Sequence, residues 1–193
     1  MTVQSTPQRA VEPSGLPVSF TLKDGRSCTI RETVEDDAAE LCEMLPKMHA
    51  ESPWLNYKPG EFNKTVEQEK RFIREHTKPS AMMLVALVGG KIVATGGVGS
   101  PEQIRLSHHA ELGLAVLKDF WNVGIGRKMM ELLIQWGRDR NLRKLYLRVY
   151  DGNDRAMRLY DALGFQHEAR LRDDFQRDDG TYADTIIMSR FLI

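Results

Sequence analysis

The chain has 193 residues, 41% of them hydrophobic and 28% charged, with 27 Lys and Arg balanced by 27 Asp and Glu. This length suits one domain with a sizeable core, and the composition is that of a globular protein. A formal net charge of zero gives no general attraction to nucleic acid or membrane, so neither partner is expected. The two cysteines, Cys28 and Cys42, lack Cys-x-x-Cys spacing, so they are expected to be small buried residues and not part of a disulfide or metal site. The small number of cysteines favours a cytoplasmic location.

The first residues are rich in Pro, Ser, Gln and Gly and contain no apolar stretch typical of a signal peptide. Residues 1–18 are therefore predicted to form a flexible arm, and residues 19–193 a single domain. No apolar run approaches the ~18 residues of a membrane span.

The first predicted elements are a hairpin and two helices. The Asp-Gly pair at residues 24–25 predicts a turn between two short strands. Acidic residues then precede a helical pattern over residues 38–45, which Pro46 is expected to end or bend. Thr65 and Gln68 have the spacing of a capping box and predict the start of the second helix.

The second half of the chain alternates between strands and helices. Two apolar strands flank the Gly-Gly pair at residues 89–90, which predicts another tight hairpin. The remaining predicted elements are a strand near residues 108–119, a helix over 126–141, a strand over 144–150, a helix from Asn153 to Gly164, and a closing hairpin that turns at residues 179–180. This order predicts a mixed sheet that carries helices, with one right-handed β-α-β unit around residues 110–150.

The run DFWNVGIGRKMMELL places Gly124 and Gly126 at the mouth of a predicted helix. A helix N-terminus offers unpaired N–H groups and a partial positive charge, which suit a phosphate group, and glycines let the backbone approach it closely. Arg127 and Lys128 can add charge-assisted contacts. A plain strand-to-helix turn, with both cations in solvent, is an equally good explanation of this run alone.

Two familiar phosphate-binding loops do not fit this spacing. The dinucleotide fingerprint Gly-x-Gly-x-x-Gly would need a glycine where the chain has Met129. The nucleotide-triphosphate loop needs Gly-Lys-Ser/Thr, whereas Gly126 is followed by Arg127 and Lys128.

Several motifs, in order and at the right separations, resemble the GNAT superfamily of N-acetyltransferases. They are Trp121-x-x-Gly124-x-Gly126, Asn153, Ala156-x-x-x-Tyr160 and Gly164-Phe165. The resemblance runs from about residue 27 to the end, and Trp121 stands where Gln or Arg is commonest. The closing stretch is similar to the branch with ribosomal-protein N-terminal and spermidine acetyltransferases, and to many amino-acid and antibiotic acyltransferases.

This resemblance implies an α/β (α+β) fold: a single GNAT-like domain with a mixed, mostly antiparallel sheet of about seven strands and about four helices. It implies transfer of an acetyl group from acetyl-CoA to a primary amine by direct attack. The acceptor is a small amine, an amino acid, a polyamine or a peptide N-terminus, and dimers are common in the family. The alternative on the same fold is a non-catalytic acyl-CoA-binding module or sensor.

The resemblance also implies which residues contact the cofactor. The backbone of the strand before the loop is expected to bind the pantetheine arm and to help polarise the acetyl carbonyl, and the N–H groups of residues 123–128 to bind the diphosphate. The expected cofactor-binding residues are Leu114, Ala115, Val116, Trp121, Asn122, Val123, Gly124, Ile125, Gly126, Arg127, Lys128, Asn153, Ala156 and Tyr160.

Glu111 is the predicted base that deprotonates the amine. It alternates with Gly113 and Ala115 on one face of a strand, so that small neighbours leave room beside its carboxylate. An exposed glutamate, or one paired with an arginine, is the structural alternative. His108, His109 or a water molecule are alternative bases.

Tyr160 is the predicted acid that gives a proton to the leaving thiolate. A phenol of pKa ~10 can donate to a thiolate whose parent acid has a pKa near ~8.5. Tyr160 also lies on an apolar helical stripe, so a core aromatic is the structural alternative.

The acceptor pocket is expected from residues 48–62 and the closing hairpin. Glu51, Trp54 and Tyr57 are the predicted substrate-binding residues, because acidic and aromatic groups suit a cationic amine. Further acidic candidates are Glu61, Asp173, Asp174, Asp178 and Asp179. A solvated acidic surface explains the same residues without a ligand.

Overall fold

A computed structural model describes residues 15–193, so most of the predicted N-terminal arm lies outside the described residues. The strands are β1 Val18–Thr21, β2 Ser27–Glu32, β3 Ala81–Val88, β4 Lys91–Gly99, β5 His109–Val116, β6 Lys144–Tyr150, β7 Gln166–Gln176 and β8 Tyr182–Phe191. The helices are α1 Ala38–Glu51, α2 Val66–His76, α3 Ile125–Asp139 and α4 Asp154–Ala162, with short 3-10 turns at Glu35–Asp37 and Lys118–Phe120.

The eight strands form one sheet in the order β1-β2-β3-β4-β5-β6-β8-β7. Every neighbouring pair is antiparallel except β5 and β6, which are parallel and are connected through α3. The predicted α/β fold with a mostly antiparallel sheet and four helices is therefore confirmed. The sheet has one strand more than the expected seven, because the first hairpin contributes two.

Helices cover the sheet on both faces and divide the core in two. The larger core joins α3 and α4 to one face, around fully buried Met129, Leu133 and Leu145. The smaller core joins α1 and α2 to the other face, around Leu41 and Ile73. Apolar residues at helical spacing on one side and alternating residues on the strands produce these layers.

Local sequence rules predict most of the turns and helix ends. Thr65 and Gln68 form the predicted capping box: Gln68 Oε1 accepts from Thr65 N at 2.8 Å, and Thr65 Oγ1 accepts from Gln68 N at 3.3 Å. Gly89 and Gly90 both have positive φ, at 58° and 78°, as a tight turn between β3 and β4 requires.

The prediction that Pro46 could end the first helix is wrong. Helix α1 continues through Pro46 to Glu51. The apolar face around Met44 and Met48 packs into the smaller core on either side of the proline. Burial of that face outweighs the backbone hydrogen bond that the proline removes.

Within residues 15–193, none of the helices is long and apolar enough to span a membrane.

Candidate active site

The candidate site is the gap where β5 and β6 separate. The two strands pair only through His109–Lys144, Ala110–Leu145 and Glu111–Tyr146. Strand β5 continues to Val116 and β6 to Tyr150 without further pairing between them. The resulting cleft has a volume of about 620 Å³, which is in the usual range for a site that binds a small molecule.

The exposed edge of β5 offers backbone groups to this cleft. Leu117 N donates to Val93 O on β4 at 3.0 Å, and the direction of these bonds alternates along an antiparallel strand. The N–H and C=O groups of Leu114 and Val116 therefore point toward the open side, whereas those of Ala115 point toward β4. Leu114 offers both groups to a ligand, but Val116 O already accepts a bond from Trp121 Nε1 at 2.6 Å.

The loop after β5 presents the N-terminus of α3 to the cleft. Gly124 is the N-cap, with φ 111°, a conformation that side chains rarely adopt. Lys128 N donates to Gly124 O at 3.1 Å, so the N–H groups of the three residues between them precede the first helical bond. Gly124, Gly126 and Arg127 line the cleft, but Lys128 does not.

Trp121 connects this loop to helix α4. Its indole N–H is held by Val116 O, and the Arg155 guanidinium carbon lies 3.2 Å from the centre of its ring. Trp121 and Arg155 both line the cleft.

The start of α4 forms another part of the wall. Asn153 is the N-cap, and its Oδ1 accepts from Ala156 N at 3.3 Å, as the sequence predicts. Because the cap uses Oδ1, the side-chain amide N–H groups remain available to a ligand. Asn153, Ala156 and Tyr160 all line the cleft.

Tyr160 is both a core residue and a cleft residue. It is only 7% exposed, and its ring contacts Phe165 edge-on at a centroid distance of 6.1 Å. Burial raises the pKa of Tyr160 to about 12, while the nearby positive charge of Arg155 opposes that rise. The phenol is therefore protonated throughout the neutral range and can act only as a hydrogen-bond or proton donor to an anion.

Glu111 lies where the two strands begin to separate and lines the cleft. Its Oε2 accepts from the Tyr146 hydroxyl at 3.1 Å, and its Oε1 lies 3.5 Å from Arg148 Nε. These contacts hold a carboxylate that is still 46% exposed. His108 and His109, the alternative bases, are not among the residues that line the cleft.

The structure separates the three predicted substrate-binding residues. Trp54 lines the main cleft, where its ring packs over Gly152. Tyr57 lines a neighbouring cavity of about 240 Å³. Glu51 lines neither cavity, and its Oε2 accepts from Lys118 N at 2.9 Å, which connects the end of α1 to the turn before the loop.

A bulge in β7 brings one aspartate of the closing hairpin to the cleft. The β7–β8 register shifts between Leu171 and Phe175, and Asp173 adopts a φ of 52°. Asp184 Oδ1 accepts from Asp173 N at 3.0 Å and stabilises this bend. Asp174, the next residue, lines the cleft.

Several residues that line the cleft are not among those that the sequence predicts for the site. They are Lys23, Asn56, Arg148, Tyr150, Arg155, Arg158 and Thr185. The first hairpin reaches the loop because Lys23 N donates to Val123 O at 3.1 Å, a contact between residues one hundred positions apart. Of these residues, only Arg155 and Arg158 could have been suggested by the sequence. They lie next to Ala156 in the first turns of a helix whose N-cap the sequence predicts.

Two glycine substitutions separate the roles of the loop glycines. Gly124→Ala should lower the free energy of unfolding by about 1–3 kcal/mol, because alanine is strained at this positive φ. Gly126→Ala should leave it nearly unchanged, since a Cβ there would meet its nearest neighbours, Leu114 and Leu159, at an ordinary 3.5 Å. Urea unfolding of both variants measures this difference; equal stabilities would contradict the strain at Gly124.

Comparison with known proteins shows that the chain is similar to several acetyltransferases. Over 87 residues the chain is 34% identical to a ribosomal protein bS18 alanine N-acetyltransferase of Salmonella typhimurium. The matched segment is 45% of this chain and 58% of that relative. A GNAT-family acetyltransferase structure from Streptococcus pneumoniae superimposes with a TM-score of 0.81 at 26% identity, covering 86% of this chain and 99% of that one. A phosphinothricin acetyltransferase of Sinorhizobium meliloti, solved with acetyl-CoA, has the same fold at a TM-score of 0.75, 17% identity and coverage of 86% and 88%.

The match to the curated relative thus spans under two thirds of that relative's length. A family model described as the acetyltransferase (GNAT) family matches residues 47–165, which is more than half of the chain. The description of this family names the predicted class of enzyme, an acetyltransferase, and the Sinorhizobium meliloti structure contains the predicted cofactor, acetyl-CoA. The chain belongs to the GNAT acetyltransferase family, the family that its loop, its asparagine cap and its tyrosine predict.

Proposed function

We propose that this protein transfers the acetyl group of acetyl-CoA to a primary amine by direct attack. The observation that carries the proposal is the separation of β5 from β6. It brings a carboxylate, Glu111, a buried phenol, Tyr160, and the N-terminus of α3 to one cleft of about 620 Å³. A carboxylate, a proton donor and an anion-binding helix end are the three parts that this reaction needs.

The described residues fit coenzyme A. The first N–H groups of α3 suit its diphosphate, and the free backbone groups of Leu114 suit the amides of its pantetheine arm, as an added strand would. When bound, acetyl-CoA supplies an acetyl thioester that is open to attack by an amine. Gly126 lines the cleft, and a glycine there allows a ligand to approach the backbone closely.

In this proposal Glu111 accepts the proton of the attacking amine, directly or through water. Its position at the start of the cleft and its exposure allow contact with an acceptor that enters from solvent. Tyr160 donates to the sulfur as it becomes a thiolate. With a pKa of about 12, the phenol serves better as a hydrogen-bond donor than as a complete proton donor.

The acceptor end of the cleft suits a cationic amine. Asp174 and the ring of Trp54 line it. Thr185 lines it as well, is fully buried, and has a hydroxyl that makes no hydrogen bond within residues 15–193. The relative named above acts on alanine of a ribosomal protein, which favours a peptide N-terminus that begins with alanine as one acceptor to test.

We also propose a cellular location and an assembly for the protein. We place it in the cytoplasm, as the sparse cysteines indicate. A homodimer is the assembly that the family implies, and the stated alternative is an acyl-CoA sensor without catalysis.

Two measurements test the proposed function. Isothermal titration calorimetry with acetyl-CoA should show binding at one site per chain; no binding would end the proposal. Release of free thiol should then be followed with a panel of amines: a polyamine, amino acids and short peptides with N-terminal alanine. At least one acceptor should raise the release above the rate without amine; binding with no acceptor-dependent release would identify the sensor instead.

A further inference from the structure

The residue that departs from the family pattern, Trp121, has an unexpected neighbour. The Arg155 guanidinium carbon lies 3.2 Å from the centre of the Trp121 ring. Arg155 comes from the first turn of α4, the helix that follows β6. The Arg155 guanidinium therefore lies at the beginning of the loop, where the chain itself has the largely apolar side chain of Trp121.

The stacking fixes the plane of this guanidinium. Trp121 is itself held, because its Nε1 donates to Val116 O at 2.6 Å. A planar guanidinium prefers to lie flat on an aromatic face, and its N–H groups then point outward in a plane parallel to the ring. Arg155 is thus preorganised for a planar or bidentate hydrogen-bond partner.

The charge of Arg155 is not matched by the protein. Within residues 15–193 Arg155 makes no ion pair. Of the other arginines that line the cleft, Arg148 lies 3.5 Å from Glu111 and Arg127 lies 4.0 Å from Glu131. Arg158 makes no ion pair within the described residues either, but it is exposed to solvent, whereas Arg155 is half-buried. Burial lowers the pKa of Arg155, and the electrostatic effect of the Tyr160 phenol opposes that fall. A half-buried cation without a carboxylate is costly, so the site favours an anionic ligand.

The surroundings favour a phosphate at this place. Trp121 precedes Gly124, the N-cap of α3, by three residues, and Arg155 follows Asn153, the N-cap of α4, by two. Both helices therefore direct the positive ends of their dipoles at the same part of the cleft. Tyr160 lies one to two turns further along α4, toward the reacting end.

We propose that Arg155, held flat against Trp121, binds the diphosphate of coenzyme A through charge-assisted hydrogen bonds. Trp121 is a positioning residue that orients the guanidinium. The proposal rests on coenzyme A as the cofactor, and it assigns the contact at the start of the loop to a side chain from another helix.

Calorimetric titration with CoA and with dephospho-CoA, which keeps the diphosphate but lacks the 3′-phosphate, tests this assignment. Arg155→Gln keeps a planar polar group and removes the charge. It should raise the Kd of both ligands by about 10- to 100-fold, the usual effect of losing a hydrogen bond to a charged group. The control is Arg138→Gln, which makes the same change in net charge near the far end of α3 and should change either Kd less than twofold.

Each other result overturns the proposal in a recognisable way. Equal Kd values for wild type and Arg155→Gln would remove Arg155 from the binding site. A loss confined to CoA would place Arg155 on the 3′-phosphate. An equal loss in Arg138→Gln would reduce the effect to overall charge. Failure of the wild-type protein to bind CoA would instead end the proposed function, which keeps the two failures distinct.

The positioning role of Trp121 has its own test. Trp121→Phe keeps an aromatic face and should raise the Kd of dephospho-CoA by less than about threefold, whereas Trp121→Leu should raise it about 10-fold. In the Trp121→Leu, Arg155→Gln double variant the losses should not add, because the second change removes a contact that the first has already weakened. Fully additive losses, or equal losses for Phe and Leu, would overturn the role of the stack. Thermal unfolding of each variant checks that it is folded.

Discussion

Replacement of Tyr160 by phenylalanine should lower kcat about 100-fold while leaving the Kd for acetyl-CoA within about twofold. The ring remains to fill the core beside Phe165, and only the hydroxyl is lost. General acid groups contribute 10²–10⁴-fold, and the lower end is expected here. Full transfer from a phenol of pKa about 12 to a thiolate of parent pKa ~8.5 is uphill by about 5 kcal/mol. Steady-state release of thiol gives kcat, and calorimetry gives the Kd.

The pH profile distinguishes this role from that of a titrating base. With the pKa raised to about 12, the phenol stays protonated at every pH below about 11, so the ratio of wild-type to Tyr160→Phe rates should be constant from pH 6 to 10. An unchanged kcat would remove the acid assignment. A loss that appears as weaker binding of acetyl-CoA would make Tyr160 a packing residue of the cleft wall.

Glu111→Gln should reduce the rate of acetyl transfer by about 10²–10⁴-fold at pH 6–7 and by progressively less as the pH rises. The reason is the acceptor: a protonated amine needs a base at acidic pH, whereas an increasing fraction is already neutral at alkaline pH. Glutamine has the same shape, so packing around the strand is kept. The measurement is kcat/KM for the best amine of the panel, across the pH range.

Tyr146→Phe is the matched control for Glu111. It removes the hydroxyl that donates to Glu111 Oε2 at 3.1 Å but leaves the carboxylate and its contact with Arg148. Its rate should fall much less than that of Glu111→Gln. If Glu111→Gln has no effect, or the same effect at every pH, Glu111 is a structural partner of Arg148 and Tyr146, and the base is a water molecule or another group.

The parts of the molecule that follow from sequence are those decided by neighbours along the chain. The Thr65–Gln68 capping box, the Asn153 cap and the paired glycines at residues 89–90 each depend on a few adjacent residues, and the structure confirms all three. The cleft loop belongs to the same class, because Gly124 adopts the positive φ that its position before a helix suggests. Local conformational rules suffice for such features.

The remaining parts depend on contacts between distant segments. Pro46 signals a helix end locally, yet packing of α1 against the sheet carries the helix past it. Glu51 looks like an acceptor ligand in a sequence rich in acidic and aromatic groups, but its carboxylate bonds to the backbone of Lys118. Arg155 reaches Trp121 only because α4 follows β6 at the cleft, a relation that spacing along the chain does not contain. Tertiary packing decides these positions, and one sequence gives little signal for it.

The three-pair contact between β5 and β6 has a consequence for the energetics of the whole chain. Beyond those pairs, the sheet is two antiparallel halves, β1–β5 and β6–β8, held together by α3, α4 and the larger core. The proposed ligand, hydrogen-bonded along β5 and in contact with α4, would connect the two halves as an additional strand does. Binding and folding are then coupled, so that saturation at 100 times Kd would add about 2.7 kcal/mol to the free energy of unfolding. The cellular supply of coenzyme A would thereby influence how long the protein survives as well as how fast it works.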